Sequence, residues 1–143
     1  MRLALWNYRK LTKEFENLRY KPYKCSAGKL TIGYGRNLED NGISLDEAEY
    51  LFNNDFNKAY EDMLRLLKVN SVDVNNLSDC RLFVLTDMMF NLGYLRLAGF
   101  KKLFQALKNQ DYEAAANEMK DSIWYKQTGN RAKKLYSMMK NNT

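Results

Sequence analysis

The chain has 143 residues, 45% of them hydrophobic and 28% charged, which fits one globular domain that buries a core without disulfide staples. Its 23 Lys and Arg outnumber its 17 Asp and Glu, and the net charge of +6 favours anionic partners such as nucleic acid, membrane surfaces or cell-wall polymers. It has no histidine, which excludes every catalytic or metal site that depends on an imidazole group.

The N-terminal sequence MRLALWNYRK does not have the features of a targeting segment. Its apolar run, residues 3–6, is too short for the hydrophobic region of a signal peptide or for a membrane span. We therefore expect the protein to be made and kept in the cytosol. In that compartment the two cysteines, Cys25 and Cys80, are expected to stay thiols.

A first helix is indicated by apolar residues that recur at helical spacing between residues 11 and 18. It should end near Arg19, because Pro22 cannot continue it. Glu16 would then lie in its last turn.

The pattern changes to alternation over residues 23–38, where Leu30, Ile32 and Tyr34 are separated by polar residues or glycine. This alternation predicts a short hairpin or a small antiparallel sheet. Turns are predicted at Ala27-Gly28 and Asn41-Gly42.

Ser44 and Glu47 form a capping box that begins a long helix of about six turns. The apolar face of this helix is formed by Ala48, Leu51, Phe52, Ala59, Met63, Leu66 and Leu67.

The sequence beyond Asn75 is helical in pattern throughout. Helices are predicted over residues 77–92 with a stop at Gly93, over residues 100–107, after a cap at Asp111, and from Asn130 onward. Met88, Met89 and Trp124 are expected to fill a core.

The predicted fold is α+β and mostly helical, in one domain of residues 1–143. A small β-hairpin lobe of about residues 20–45 is joined by the long helix to a larger helical lobe, residues 60–143 plus the N-terminal helix. We expect an active-site cleft between the lobes.

The missing histidine leaves few kinds of catalysis open. A papain-like cysteine nucleophile, a serine triad and a helical zinc-protease motif all require it, and two cysteines cannot form a four-cysteine zinc site. No phosphate loop or dinucleotide fingerprint is present. Carboxylate chemistry remains, and we expect no metal and no organic cofactor.

Glycoside hydrolysis suits carboxylate chemistry, because it needs one protonated carboxyl group and a second group that handles water or the sugar cation. Glu16 is a candidate for the acid. Cys25 and Thr31, on or beside the hairpin, are candidates for the opposite side of the reacting bond. Lys24, Lys29 and Arg36 are candidates for lowering the pKa of the Cys25 thiol.

Eight residues separate Glu16 from Cys25, five separate Cys25 from Thr31, and Thr31 begins the run TIGYG. This pattern resembles that of the phage-type lysozymes, the muramidases found mainly as bacteriophage endolysins. Three further segments are similar to the same family in the same order: LDEAEYLFNNDF, MMFNLGYLRLAGF and WYKQTGNRAKKL. The chain departs from the family pattern at Asn17, where Gly is frequent, and at Arg36, where His is frequent.

The resemblance implies a role for each matching position. Glu16 would be the general acid, Cys25 would occupy the second catalytic position, Thr31 would bind the attacking water and Arg131 would orient the catalytic Glu. The positions implied for substrate binding are Gly35, Phe90, Asn91 and Asn117. Cys25 could act as a base, act as a nucleophile or have lost its role.

The resemblance also implies a function. The chain would be a monomeric endolysin that cleaves the β-1,4 bond between N-acetylmuramic acid and N-acetylglucosamine in bacterial peptidoglycan and so lyses the host cell. It would stay in the host cytoplasm until its release to the wall, with no nucleic-acid partner and no stable membrane insertion. The alternative is a catalytically impaired peptidoglycan-binding domain of the same fold. A domain of a tail protein or of a secreted effector also remains open.

Overall fold

Helices account for 69% of the chain, and the only sheet has three antiparallel strands, which confirms the predicted α+β, mostly helical class. The structure is a computed structural model that describes residues 1–143. The chain divides into two compact units, Met1–Tyr50 and Leu51–Thr143. The assignment of the whole chain to one domain stays a prediction.

The first unit begins with two helices, α1 (Leu3–Asn7) and α2 (Arg9–Glu16). The prediction that the first helix ends near Arg19 was wrong, because Asn17 adopts a positive φ of 60° that right-handed helices cannot include. Asn is one of the few residues other than Gly that adopt positive φ readily. Glu16 is the last residue of α2, which confirms its place in the last turn.

The sheet follows immediately and contains β1 (Arg19–Lys24), β2 (Leu30–Gly33) and β3 (Arg36–Asn37), in that spatial order. The predicted small antiparallel sheet is therefore confirmed, although it begins four residues earlier than residue 23. Pro22 lies in the edge strand β1, within a register irregularity between Arg19 and Tyr23. Proline is tolerated there because an edge strand does not need every backbone N–H as a donor.

A one-turn helix, α3 (Leu38–Asn41), has Gly42 as its C-cap, at the predicted Asn41-Gly42 turn. The capping box is confirmed: the Glu47 N–H donates to Ser44 Oγ at 3.2 Å, and the Ser44 N–H donates to Glu47 Oε1 at 2.9 Å. It begins α4 (Leu45–Val69), whose 25 residues confirm the predicted long helix.

The second unit is helical apart from its loops. After a 3₁₀ turn (Val74–Asn76) its helices are α5 (Asp79–Leu92), α6 (Tyr94–Ala98), α7 (Lys101–Lys108), α8 (Tyr112–Lys120), α9 (Ile123–Thr128) and α10 (Asn130–Asn141). The stop at Gly93, the cap at Asp111 and the start at Asn130 are confirmed, and the Asp111 side chain accepts from the Ala114 N–H. The short helices α6 and α9 were not predicted.

The buried hydrophobic side chains lie between Ala59 and Met139, all within the second unit. Met88, Met89 and Trp124 are buried as predicted, whereas Phe90 keeps 40% of its surface exposed. No helix combines the length and the apolarity that crossing a bilayer would require.

Candidate active site

Glu16 ends α2 with its carboxyl group directly against the backbone of Gly35. A Cβ atom placed on Gly35 would lie 2.8 Å from Glu16 Cδ, well inside van der Waals contact. Gly35 also has a φ of +73°, which only glycine adopts without strain. The run TIGYG therefore needs Gly at this position both for its turn and to admit the Glu16 carboxyl group.

A second contact joins α2 to the same turn of the hairpin. The Lys13 ammonium group lies 5.0 Å from the centre of the Tyr34 ring, a cation–π arrangement. The last turn of α2 thus contacts two consecutive residues of the β2–β3 turn, Tyr34 and Gly35, and these contacts position Glu16.

Cys25 lies just after β1, in a tight turn closed by two backbone hydrogen bonds. The Cys25 N–H donates to Lys29 O at 3.0 Å, and the Gly28 N–H donates to Cys25 O at 2.8 Å. The backbone N–H groups of Lys29 and then Ala27, followed by the Thr31 hydroxyl, lower the pKa of the Cys25 thiol by bonding to the thiolate. Cys25 and Cys80 are both free thiols, as predicted.

Side-chain cations were candidates for lowering this pKa, and for two of them that interpretation was wrong. The Lys29 ammonium lies 3.2 Å from both Glu39 Oε2 and Asp40 Oδ1, so acidic neighbours neutralise its charge. Arg36 pairs with Glu47. Amides of the turn stabilise the thiolate instead, a contribution that depends on backbone geometry rather than on residue type.

Thr31 is buried in the middle of the sheet, where it pairs with Tyr23 on one side and Asn37 on the other. Its hydroxyl donates to Lys29 O at 2.8 Å and also lies within hydrogen-bonding reach of the Cys25 thiol. The Thr31 oxygen also has two lone pairs that can accept from a water molecule. The structure therefore brings Cys25 and Thr31 together.

Arg131, at the start of α10, forms a two-point ion pair with Asp87 of α5. Its Nε lies 2.8 Å from Asp87 Oδ2 and its Nη2 lies 3.0 Å from Oδ1. Hydrogen bonding to the Asp87 carboxylate raises the pKa of Arg131. Sequence reasoning missed Asp87, although an acidic residue within the apolar run LFVLTDMMF was a usable signal. The role of Arg131 in orienting Glu16 stays a prediction.

The three predicted substrate-binding residues of the second unit have different surroundings. The Phe90 ring lies 5.8 Å from the Phe52 ring and forms part of the lining of a recess of about 380 Å³ between α4 and the end of α5. Asn91 Oδ1 accepts from Trp124 Nε1 at 2.8 Å, which fixes its amide group. Asn117 is exposed on α8. Their contacts with a substrate stay predictions.

A family model described as phage lysozyme matches residues 13–141 of the chain. The chain belongs to the phage lysozyme family. The match includes every residue that we selected as a candidate site residue.

Three curated relatives illustrate the similarity. The chain is 30% identical over 141 residues to the peptidoglycan hydrolase gp36 of Pseudomonas phage phiKMV, covering 94% of this chain and 15% of that protein. It is 30% identical over 101 residues to the probable T4-type lysozyme 2 of Dictyostelium discoideum, and this match covers 71% of this chain and 59% of that protein. It is 31% identical over 103 residues to the pre-baseplate central spike protein Gp5 of Enterobacteria phage T4, and this match covers 71% of this chain and 18% of that protein. The chain thus spans less than two thirds of each of these relatives.

Arg36 is the position at which this phage lysozyme family member departs from the expected histidine. Its two terminal nitrogens bind the Glu47 carboxylate, Nη1 at 2.9 Å and Nη2 at 2.7 Å. Nη1 also donates to Gly42 O at 3.1 Å. The bonds to Glu47 raise the pKa of Arg36, and with the Ser44 N–H they lower the pKa of Glu47 to about 2. An always-charged guanidinium therefore connects β3 to the start of α4.

Proposed function

We propose that this member of the phage lysozyme family is a glycoside hydrolase that cleaves the β-1,4 bond between N-acetylmuramic acid and N-acetylglucosamine in bacterial peptidoglycan. Relatives named peptidoglycan hydrolase and T4-type lysozyme support hydrolysis of peptidoglycan. The observation that carries the proposal is the Glu16 carboxyl group, held at the backbone of Gly35 in the same unit as Cys25 and Thr31.

Glu16 is the general acid in this proposal. Its protonated carboxyl group gives its proton to the glycosidic oxygen as the bond to the anomeric carbon breaks, and the departing sugar leaves as a neutral alcohol. The close backbone of Gly35 limits the carboxyl group to few orientations, and a proton donor must keep its orientation to act efficiently.

Cys25 and Thr31 act on the face of the anomeric carbon opposite the leaving group, by one of two routes. In the first, the Cys25 thiolate removes a proton from a water held by Thr31, the water attacks and the anomeric configuration inverts. In the second, the thiolate attacks the carbon, forms a covalent intermediate that water hydrolyses, and the configuration is retained. The Thr31 hydroxyl, bonded to Lys29 O in the same turn that bonds to Cys25, favours the water route. NMR of the first product distinguishes the routes by its anomeric configuration.

The decisive test replaces the acid. Glu16→Gln keeps the size of the side chain but removes the proton donor, and we expect it to abolish release of muropeptides with a reducing N-acetylmuramic acid end. Mass spectrometry of digested purified peptidoglycan measures that release. Glu14→Gln is the matched control, because this exposed residue on the same helix has no proposed role and should leave activity unchanged.

A second candidate function, glycan binding without turnover, rests on cysteine at the position where the family pattern has Asp or sometimes Cys. In that case wild type and Glu16→Gln would both leave the glycan intact, while the protein still sedimented with the wall. Activity in wild type alone would eliminate it.

The remaining parts of the proposal come from the resemblance. Gly35, Phe90, Asn91 and Asn117 bind the glycan, and Arg131 supports catalysis. The protein acts as a monomer on the wall of a host cell, reaches the wall after release from the cytoplasm, and causes lysis. Loss of activity in Arg131→Ala with retained helical content would support the role of Arg131.

A further inference from the structure

Lys29 contacts both Cys25 and Thr31 through a single backbone carbonyl. Its oxygen accepts from the Cys25 N–H at 3.0 Å and from the Thr31 hydroxyl at 2.8 Å. The backbone N–H of Lys29 is also the largest cause of the lowered pKa of the Cys25 thiol. A displacement of the Lys29 backbone would therefore disturb both residues that we place opposite Glu16.

The turn between Cys25 and Lys29 has little of its own to hold it in place. Its residues Ser26, Ala27 and Gly28 have small side chains or none, and Gly28 has a positive φ of +77°. Glycine is the most flexible residue of a chain, because it lacks Cβ. An anchor for this turn has to come from a longer side chain, and Lys29 supplies one.

The Lys29 side chain connects the turn to α3, in the same unit. Its ammonium group lies 3.2 Å from Glu39 Oε2 and 3.2 Å from Asp40 Oδ1. An isolated ion pair at a surface contributes little, whereas one cation shared by two carboxylates forms a network that restrains all three side chains. The network joins the end of the hairpin to a helix that lies beyond β3.

Asp40 is itself held by Asn37, which closes the set of contacts. The Asn37 side-chain amide donates to Asp40 Oδ2 at 2.9 Å, and the Asp40 N–H donates to Asn37 Oδ1 at 3.0 Å. Asn37 also pairs with Thr31 between β2 and β3. The contacts thus run from Thr31 through Lys29, Asp40 and Asn37 back to Thr31. A closed network of satisfied polar groups favours one rigid arrangement.

We propose that Lys29 is a positioning residue for Cys25 and Thr31, with Glu39 and Asp40 of α3 as its anchor. The ion pairs hold the Lys29 backbone, and that backbone holds Cys25 and Thr31 in place relative to each other. The catalytic consequence rests on the proposed function. The geometry of the Cys25 turn can be measured without any turnover of glycan.

Positioning and simple charge effects predict opposite results when the anchor is removed. Loss of the Lys29 charge destabilises the nearby thiolate under either explanation. Loss of the Glu39 and Asp40 charges would stabilise the thiolate if only charge mattered, because two anions disappear. The same loss destabilises the thiolate if the ion pairs hold the turn, since the backbone N–H groups are then no longer fixed at the sulfur.

The experiment measures the alkylation rate of Cys25 by iodoacetamide across pH, in a Cys80→Ser background where Cys25 is the only thiol. The thiolate is the reacting form, so the midpoint of the profile reports the pKa of the thiol. The plateau at high pH reports access to the sulfur. Lys24, the cation next to Cys25 in sequence, is kept in every variant.

The two test variants are Lys29→Met and the combination of Glu39→Ala with Asp40→Ala. Both should raise the midpoint by about half a pH unit, so that alkylation below the midpoint slows about threefold. Lys29→Arg should restore the midpoint, because a guanidinium can also bind both carboxylates. Lys21→Met removes the same charge from β1 and should leave the midpoint unchanged.

Wall digestion is measured on the same variants. Misplacement of reacting groups slows catalysis steeply, so we expect Lys29→Met and the double alanine variant to digest peptidoglycan about tenfold more slowly. Lys29→Arg and Lys21→Met should stay close to wild type. Circular dichroism checks that each variant keeps its helical content.

Three results would overturn the proposal. A lower midpoint in the double alanine variant would assign the effect to charge. Unchanged midpoints in that variant and in Lys29→Met would show that the turn keeps its geometry without the ion pairs. Full wall digestion despite raised midpoints would remove the catalytic consequence. If wild type digests no wall, the proposed function fails, whereas the alkylation profiles still decide whether Lys29 positions Cys25.

Discussion

At Gly35 the backbone and the Glu16 carboxyl group approach so closely that no side chain fits between them. The residue satisfies two independent conditions, a positive φ and an open space on its Cα, and each can be tested separately. Gly28 has a similar φ of +77° with no heavy atom near its absent Cβ, so it supplies the comparison.

Gly35→Ala should remain folded but lose wall-digesting activity about 100-fold, because the new methyl group displaces the Glu16 carboxyl group. Gly28→Ala carries the same backbone strain, about 1–2 kcal/mol, without the collision. Urea unfolding should therefore show a similar loss in the free energy of unfolding for both variants. Activity should be lost only in Gly35→Ala. Full activity of Gly35→Ala would mean that this contact does not position the acid.

Cys25 governs the acidic limb of the pH profile if its thiolate acts in the reaction. Cys25→Asp should remain active and move that limb to lower pH, because a carboxyl group ionises near pH ~4 and a thiol near pH ~8.5 before the turn amides lower it. The measurement is the rate of wall digestion across pH. Iodoacetamide should inactivate wild type and spare Cys25→Asp.

Cys80→Ser is the control for both experiments. Cys80 lies in the second unit, half-buried, with its thiol against Met138 O, so its replacement should leave the profile unchanged. An unshifted profile in Cys25→Asp would show that Cys25 does not set the pH dependence.

At the scale of elements, the start of α4 is fixed by one carboxylate that bonds to three donors. Glu47 accepts from the Ser44 N–H and from both Arg36 terminal nitrogens, so it completes the cap of α4 and links the helix to β3. The capping box is local and readable from sequence, whereas the ion pair with Arg36 exists only when the sheet and the helix are both in place.

Glu47→Gln should lower the melting temperature, and the size of the effect should depend on pH. The pKa of Glu47 falls from 4.5 to about 2 on folding, so its ionised form stabilises the native state. That stabilisation is complete above pH 4.5 and is lost as the pH falls through about 2. The melting temperatures of variant and wild type should therefore differ at neutral pH and converge near pH 2.

Glu49→Gln is the control for this experiment. Glu49 is an exposed residue in the same part of α4, and its replacement should leave both the melting temperature and its pH dependence nearly unchanged. A constant difference between Glu47→Gln and wild type across the acidic range would contradict the role of the Arg36 pair.

For the whole molecule, the main asymmetry is that buried hydrophobic residues belong to the second unit, while the first unit supplies the proposed acid and its partners. The second unit has a densely buried helix, α5, with Leu85 and Met88 fully inaccessible. Most of the hydrophobic stabilisation therefore comes from residues that have no proposed contact with the glycan.

Leu85→Ala should reduce the free energy of unfolding by about 2–5 kcal/mol, because it removes a fully buried side chain and leaves a cavity. Leu95→Ala, at a side chain that is 87% exposed, should change it by less than about 0.5 kcal/mol. Urea unfolding followed by circular dichroism measures both. Equal effects at the two positions would contradict the assignment of the core.

The sequence by itself determined most of the secondary structure, because the signals that mark elements are local. Ser44 with Glu47, Gly93, Asp111 and Asn130 each act on backbone groups a few residues away, and each was predicted correctly. The first helix end was missed because Asn, unlike Gly, is common in conformations of negative φ as well, so Asn17 was not a clear stop signal. The helices α6 and α9 were missed because five or six residues are too few for a periodic pattern.

The spacing of Glu16, Cys25 and Thr31 was likewise readable from the sequence, together with the family it indicates. Only the tertiary structure decided which groups surround these side chains: Gly35 against Glu16, turn amides at the Cys25 thiol, Glu47 on Arg36 and Asp87 on Arg131. The physical reason is that these partners meet through chain folding. Neither composition nor periodicity encodes the distance between atoms that are far apart in sequence.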